Sequence, residues 1–482
     1  MNILSQNLIN SIKNNAKNLL NPKFYYLSDL IVDSIFNYIE PLNYVQLMQI
    51  VESTVVSTIK NTIVSYLEKL DFIYKNSIER KTKFYINKSN VKRTITTIFG
   101  DISFKRTYYR SKFSGKCFFY IDTLFNFTKY DHYDAIIKAI AIDEAFQSSQ
   151  AKGARVASSF VNGLNYFFNT KNNLIIPRQS IFNWIKKWNV PNVAPDATNT
   201  PNTLYIMADE KFIGAQDNNK NKIMVKNFVA FEDIKNIGKN RRQLVNRTTF
   251  SYFGKNAWSH FLDFITKKYD FSKINNICLL GDGGGWIKAG INELKLYTNN
   301  NVTFYLCEFH FKQAINRLTT DPSERKYIFN IFKLHSKKDF KNYINNNVLN
   351  KSSSTSAINS FNYILNNYSY IKNMLDLNIG SSMESHISHL VANLFSSRPK
   401  GFSLKNINKY LKISTYINNG INLFNLYLST YSNKEVIELS DESLYLNILD
   451  TTGSSNIEII NQGKVSNTYK ILQNISHPCF TI

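Results

Sequence analysis

The chain has 482 residues, enough for two to four domains at roughly 100–200 residues each, and carries 58 Lys and Arg against 35 Asp and Glu, a formal charge of +23. That excess points to a polyanionic partner, nucleic acid first and an anionic membrane surface second, although the abundance of Asn, Lys, Ile, Tyr and Phe attributes part of it to AT-rich coding. No apolar run approaches the roughly 20 residues that span a bilayer and no signal peptide opens the chain, while Cys117, Cys278, Cys307 and Cys479 lack C-x-x-C spacing; the expectation is a cytosolic protein with reduced thiols, no disulfide framework and no structural zinc.

In chain order, residues 1–90 read as a helical N-terminal region. Apolar residues recur at helical spacing through Met48, Val51, Val55, Ile59, Ile63, Tyr66 and Leu70, with Pro41 separating two helices. A small bundle is the plain reading and an oligomerising coiled coil the other. Residues 91–130 are rich in β-branched and aromatic residues punctuated by Gly100-Asp101 and Ser114-Gly115, which predicts a small antiparallel sheet. There Lys105, Arg106, Arg110, Lys112 and Lys116 interleave with Phe104, Tyr108, Tyr109 and Phe113. That mixture suits phosphates and bases, and equally a solvated strand face with ordinary aromatic packing.

Residues 131–190 return to helical periodicity. The last stretch, IPRQSIFNWIKKW, sets Pro177 before a short amphipathic helix with Ile181, Trp184, Ile185 and Trp188 on one face. Arg178, Gln179, Asn183, Lys186 and Lys187 remain for the other face, as the second helix of a helix-turn-helix requires for contact with DNA. The Pro-, Asn- and Thr-rich segment 190–203 reads as a linker.

Beyond it, strands are predicted at 204–209, 222–232, 243–253, 277–280 and 302–306, with helices at 257–269 and near 287–294. Three strands before a helix, then alternation, predict a mixed α/β sheet. Residues 321–379 look like a polar helical insertion, and the segment 411–482 is helical at first.

The chemistry concentrates at two strand ends. In ICLLGDGGGW, Asp282 ends a buried run and three glycines follow. Neither the P-loop nor the Rossmann glycine spacing is present, and the acid would repel a phosphate without a cation between them. Mg²⁺ fits better, because it takes carboxylate oxygens and keeps room for substrate phosphate. Asp209, ending LYIMAD, is the natural partner, though acids at strand ends also serve as turn residues and caps. Glu384, sharing a helix face with Ile387, Ser388 and Val391, offers a third carboxylate; its other reading is an exposed first-turn acid favoured by the helix dipole. His386 and His389 project roughly opposite.

With these acids in place, the chain resembles the DDE transposases of bacterial insertion sequences, specifically the ISLre-type group related to Mutator-like elements. The motifs TITTIFGDISFKRTYYR, IPRQSIFNWIKKW, LYIMADE, GDGGGWIKAG and MESHISHLVANLFSSRPKGFS occur in that group's order from about 90 to 405. The resemblance implies an α+β multidomain protein: helical and β DNA-binding regions, then a ribonuclease-H-like α/β catalytic domain over 204–410 with an all-α insertion. It further implies that Asp209, Asp282 and Glu384 hold two Mg²⁺ ions, with Mn²⁺ as a substitute. Cys307-Glu-Phe-His310 matches a [C/D]-x-x-H element that helps position DNA, with a packed strand end as its alternative, and Arg398 matches a phosphate contact. Glu210, Lys211 and Phe212 depart from the group, which tends to carry a further acid and a histidine there.

The expectation is therefore a bacterial, nucleoid-associated transposase, a homodimer or larger assembly acting on double-stranded DNA at terminal inverted repeats and target sites, with no membrane. Its rivals are a catalytically inactive or repurposed transposase acting as a sequence-specific DNA-binding protein, and a structure-selective nuclease.

Overall fold

A computed structural model describes residues 29–35, 42–168, 173–214, 222–238, 241–298, 300–350, 354–377, 395 and 403–432. These fall into two compact units: one takes the described residues through Asp134 with Val161–Phe168, the other Ala135–Phe160 and the described residues from 173 to Ser432. Both mix helices and sheet, so the protein is α+β.

In the first unit a single long helix, α1 (Tyr44–Asn76), opens with a capping box. The Asn43 side chain accepts the Gln46 N–H at 2.9 Å, and the Gln46 side chain accepts the Asn43 N–H at 3.0 Å. A short α2 (Ile78–Lys83) follows, then β1 (Phe84–Thr97), β2 (Gly100–Ser111), β3 (Cys117–Phe119) and α3 (Tyr120–Leu124). The strands form an antiparallel sheet in the order β1-β2-β3. The predicted sheet thus begins at Phe84, earlier than the sequence suggested.

Instead of entering a bundle with other described helices, α1 lays Leu67, Leu70 and Tyr74 against Ile95, Ile102, Phe104 and Tyr109, while Met48 and Tyr66 of the expected stripe are exposed. Two of its acids serve β2: Glu68 accepts the Lys105 N–H at 2.8 Å, and Asp71 accepts the Thr107 N–H and hydroxyl at 3.2 and 2.6 Å. Arg106 does not reach solvent. It is buried with Arg93 around Asp122, with Arg93 to Asp122 at 2.9 Å, so it holds the unit together and is removed from the expected phosphate contacts.

The second unit begins with α4 (Ala135–Gln147), α5 (Gln150–Asn162) and α6 (Arg178–Lys187), of which α6 packs on α4. Its sheet uses β4 (Thr203–Gly214), β5 (Lys222–Phe231), β8 (Thr248–Tyr252), β9 (Asn276–Gly281) and β10 (Asn301–Leu306), in the order β10-β9-β4-β5-β8. The strands β4, β9 and β10 run parallel, and β5 and β8 are antiparallel to their neighbours.

The third strand expected over 243–253 is two strands. Asn246, at φ 49°, breaks the run, and β7 (Arg241–Val245) turns away to pair with β6 (Asp233–Gly238) in a separate ribbon. Leu204, Ile206, Ala208, Phe228 and Ala230 put one sheet face on α7 (Ala257–Ile265) and α8 (Gly285–Lys295), with Phe228 and Phe261 stacked at 4.4 Å.

From β10 the chain runs through α9 (Glu308–Leu318) into the expected helical insertion: α10 (Pro322–Leu334), α11 (Lys337–Tyr343), a π-helical turn Ile344–Leu349, α12 (Thr355–Asn366) and α13 (Tyr368–Leu377). Two later helices, α14 (Leu404–Asn418) and α15 (Leu423–Ser432), return to the unit. The edge strand β8 is covered by polar side chains on and just after α14. Asn419 exchanges two bonds with the Thr249 backbone at 2.8 and 2.9 Å, and Asn408 exchanges two with Phe253 at 2.9 and 2.8 Å. Tyr416 and Lys412 also hold the linker, at Pro191, Val193 and Val190.

Candidate metal centre

Ladder geometry brings the two predicted aspartates together. Parallel pairing of β4 with β9 runs from Thr203–Asn276 to Met207–Leu280. Asp209 and Asp282 each lie two residues past that last pair, so the register leaves them level where the strands part. The C-terminal edge of parallel strands is where such sheets place ligands. One carboxylate oxygen from each of Asp209, Glu210 and Asp282 lies within 4.8 Å of the other two.

Each acid is oriented by a donor. The Glu210 N–H donates to Asp209 Oδ1 at 2.7 Å, and the Gly284 N–H donates to Asp282 Oδ1 at 2.8 Å. The Trp286 indole donates to Glu210 Oε2. Trp286 is itself fixed, because its carbonyl accepts the Trp258 indole at 2.8 Å and Lys226, the cross-strand partner of Glu210, stands 5.2 Å above its ring. From the insertion, the Tyr363 hydroxyl donates to the Asp282 carbonyl at 2.6 Å. Gly283 turns at φ +89°, and a Cβ there would stand 3.0 Å from both Asn367 Oδ1 and Leu306 Cδ1. Only glycine meets both conditions without strain.

The third parallel strand adds a further pair. The Cys307 N–H bonds the Gly281 carbonyl at 2.7 Å, and His310 occupies the first turn of α9. A hydrogen bond to the Cys307 thiol raises the His310 pKa against the effect of burial, and Asp209 and Asp282 raise it further. In the other direction, burial pushes the Asp209 carboxyl up to about 6, with Asp282 adding to the shift while the Glu210 N–H and His310 oppose it. The sheet thus unites Asp209, Asp282, Cys307 and His310 in one electrostatic site. Three close carboxylates offer an all-oxygen set that could hold a hard dication such as Mg²⁺, whose charge would offset a repulsion that burial makes costly.

Glu210 is the residue that sequence reasoning missed. Neighbours on a strand point to opposite faces, which argues against two adjacent acids reaching one point. The longer glutamate arm, held by Trp286, gets there all the same. Glu384, with His386 and His389, and Arg398 lie outside the described residues. Arg178, Gln179, Asn183, Lys186 and Lys187 are all exposed on α6, above buried Ile181, Ile185 and Trp188 and a half-buried Trp184.

Fold and site together define an α+β protein with a carboxylate cluster where two adjacent parallel strands part. The chain belongs to the uncharacterised protein family UPF0236, whose profile matches residues 39–429. Among its relatives in Caldanaerobacter subterraneus subsp. tengcongensis, one UPF0236 protein is 25% identical over 442 residues, covering 87% of this chain and 88% of its own length. A second is 23% identical over 501 residues, covering 96% of each chain. Among the described residues, no helix is long and apolar enough to cross a membrane.

Proposed function

We propose that the protein is a DDE-type transposase, which cleaves DNA at the ends of an insertion sequence and joins the freed 3′-hydroxyls to target DNA. The observation that carries this reading is the meeting of Asp209 and Asp282, with Glu210, where the parallel strands β4 and β9 part. The sheet order, three antiparallel strands extended by two parallel ones, is compatible with the ribonuclease-H-like domain that the resemblance implies. The relatives' names add support: one combines eleven locus designations and another four, as repeated copies of a mobile element would.

Asp209 and Asp282 would hold Mg²⁺, or Mn²⁺ in its place, with Glu384 as the third carboxylate. Bound metal of this kind polarises a scissile phosphate and favours deprotonation of an attacking water or 3′-hydroxyl. The chain's own part is orientation. Trp286 and the Gly284 N–H fix one oxygen each of Glu210 and Asp282, and His310, whose pKa the two aspartates help to raise, stands beside the acids, where a DNA backbone would approach. The exposed polar face of α6 would recognise terminal repeats, and pairing of two element ends calls for a dimer or larger assembly.

The test is Mg²⁺-dependent cleavage and joining of element-end DNA by the purified protein. Both activities should vanish in Asp282→Asn and in Glu384→Gln, and full activity in either variant would sink the three-acid assignment. Specific, salt-dependent binding with no cleavage at any metal concentration would instead identify a DNA-binding protein without catalysis.

A further inference from the structure

We propose that the outer face of the β1-β2-β3 sheet binds an unpaired DNA strand, its exposed rings stacking on bases and its lysines meeting phosphates. The choice of DNA rests on the transposase reading, whereas the stacking surface does not.

Charge is the first argument. Between residues 79 and 130 there are twelve Lys or Arg and three acids. All three acids are engaged locally: Glu79 pairs with Lys83 at 3.2 Å, Asp122 holds Arg93 and Arg106, and Asp101 accepts the Thr96 hydroxyl at 2.6 Å. Lys88, Lys92, Lys105, Arg110, Lys116 and Lys129 are exposed and, among the described residues, make no ion pair. Lys92 and Lys105, direct cross-strand partners, alternate to the opposite face from Tyr108 and Arg110 and take no part in this surface.

The aromatic rings are the second argument. Phe113 is 86% exposed, Tyr130 79% and Tyr85 61%. Two carry their own cation, with Lys112 standing 5.0 Å over Tyr85 and Lys129 4.9 Å over Tyr130. On one face of the sheet Tyr108 is opposite Lys88 and packs on Phe119 at 4.6 Å, and Tyr85 is opposite Arg110, while Phe113 lies in the turn that joins β2 to β3 and Tyr130 in the segment after α3. A duplex keeps its base faces within its own stack. An unpaired strand offers them, and base stacking on such rings is sequence-tolerant and salt-sensitive.

The experiment measures binding of the full-length protein to a fluorescent oligo-dT of about 16 nucleotides by anisotropy, beside a duplex and an oligo-U of equal length. Single-stranded DNA should bind more tightly than the duplex at the same salt. Phe113→Ala with Tyr130→Ala should weaken dT binding about tenfold or more, and Trp at both positions should restore it. Because both rings are exposed, the alanine variant should melt like the wild type. Unchanged dT affinity in that variant would overturn the proposal, as would tighter binding of the duplex or of oligo-U. Cleavage is scored separately: a protein that binds dT through these rings and cuts nothing keeps this surface and loses the transposase reading.

Discussion

Asp209 and Trp286 are the side chains whose environments make the sharpest demands. Burial holds the folded Asp209 carboxyl near 6, above its ordinary 3.8. The folded state therefore binds this proton more tightly than the unfolded state, so the group favours folding at low pH, and that contribution is lost as pH rises from 3.8 through about 6. Without metal, Asp209→Asn should melt higher than the wild type at about pH 8, and the gap should close toward about pH 4; Mg²⁺ should stabilise the wild type alone. A gap that does not change with pH would show that Asp209 is not desolvated. Trp286→Phe keeps the ring but removes the donor to Glu210, and should weaken Mg²⁺ binding about two- to tenfold by calorimetry. Equal affinity would mean that Glu210 needs no indole to hold it.

Among the elements, the turn from β9 into α8 has the least freedom. Gly283→Ala meets a left-handed φ and two atoms at 3.0 Å, so a loss of about 1–3 kcal/mol in denaturant unfolding is expected. At Gly290, on α8, an added Cβ would fall 2.1 Å from the Trp258 ring, and Gly290→Ala should cost a similar amount by the same measurement. Tyr363→Phe is the gentler probe of the insertion, because it removes only the hydroxyl that holds the Asp282 carbonyl. It should lower stability by about 1 kcal/mol and weaken Mg²⁺ binding as well. A variant with normal metal affinity would reduce α12 to a packing element.

Across the whole chain, a +23 charge would make DNA binding salt-dependent under the transposase proposal, so any contribution of α6 would have to be read from the slope as well as the affinity. Lys186→Ala and Lys187→Ala should each weaken duplex binding and lower the salt slope by about 1 if the side chain meets a phosphate. Unchanged slopes would remove α6 from the DNA interface. Much of the second unit was legible from residue patterns: the strand before Asp282, the alternation after α7 and the helical run from Asp321 to Leu377 stand where periodicity set them, whereas the strand expected to end at Asp209 runs on to Gly214. Less legible was any feature that depends on a remote partner. The run 243–253 carries β-type residues throughout, and only its pairing partners show that half of it leaves the sheet.

Sequence alone picked out most element types, the two acids and the polar face of α6, because local periodicity and chain stiffness act over a few residues. It ended β4 at Asp209, whereas cross-strand pairing carries that strand on to Gly214. It could not determine which neighbours those elements would have. Parallel register set Asp282 level with Asp209, Trp286 drew Glu210 to the same point, and α14 and Asn419 closed the edge of β8 from 155–170 residues away. Arg106 shows the same division. Its basic neighbours suggest a phosphate contact, yet the half-buried carboxylate of Asp122 claims it, because a charge taken out of water must find its counter-charge wherever the fold supplies one.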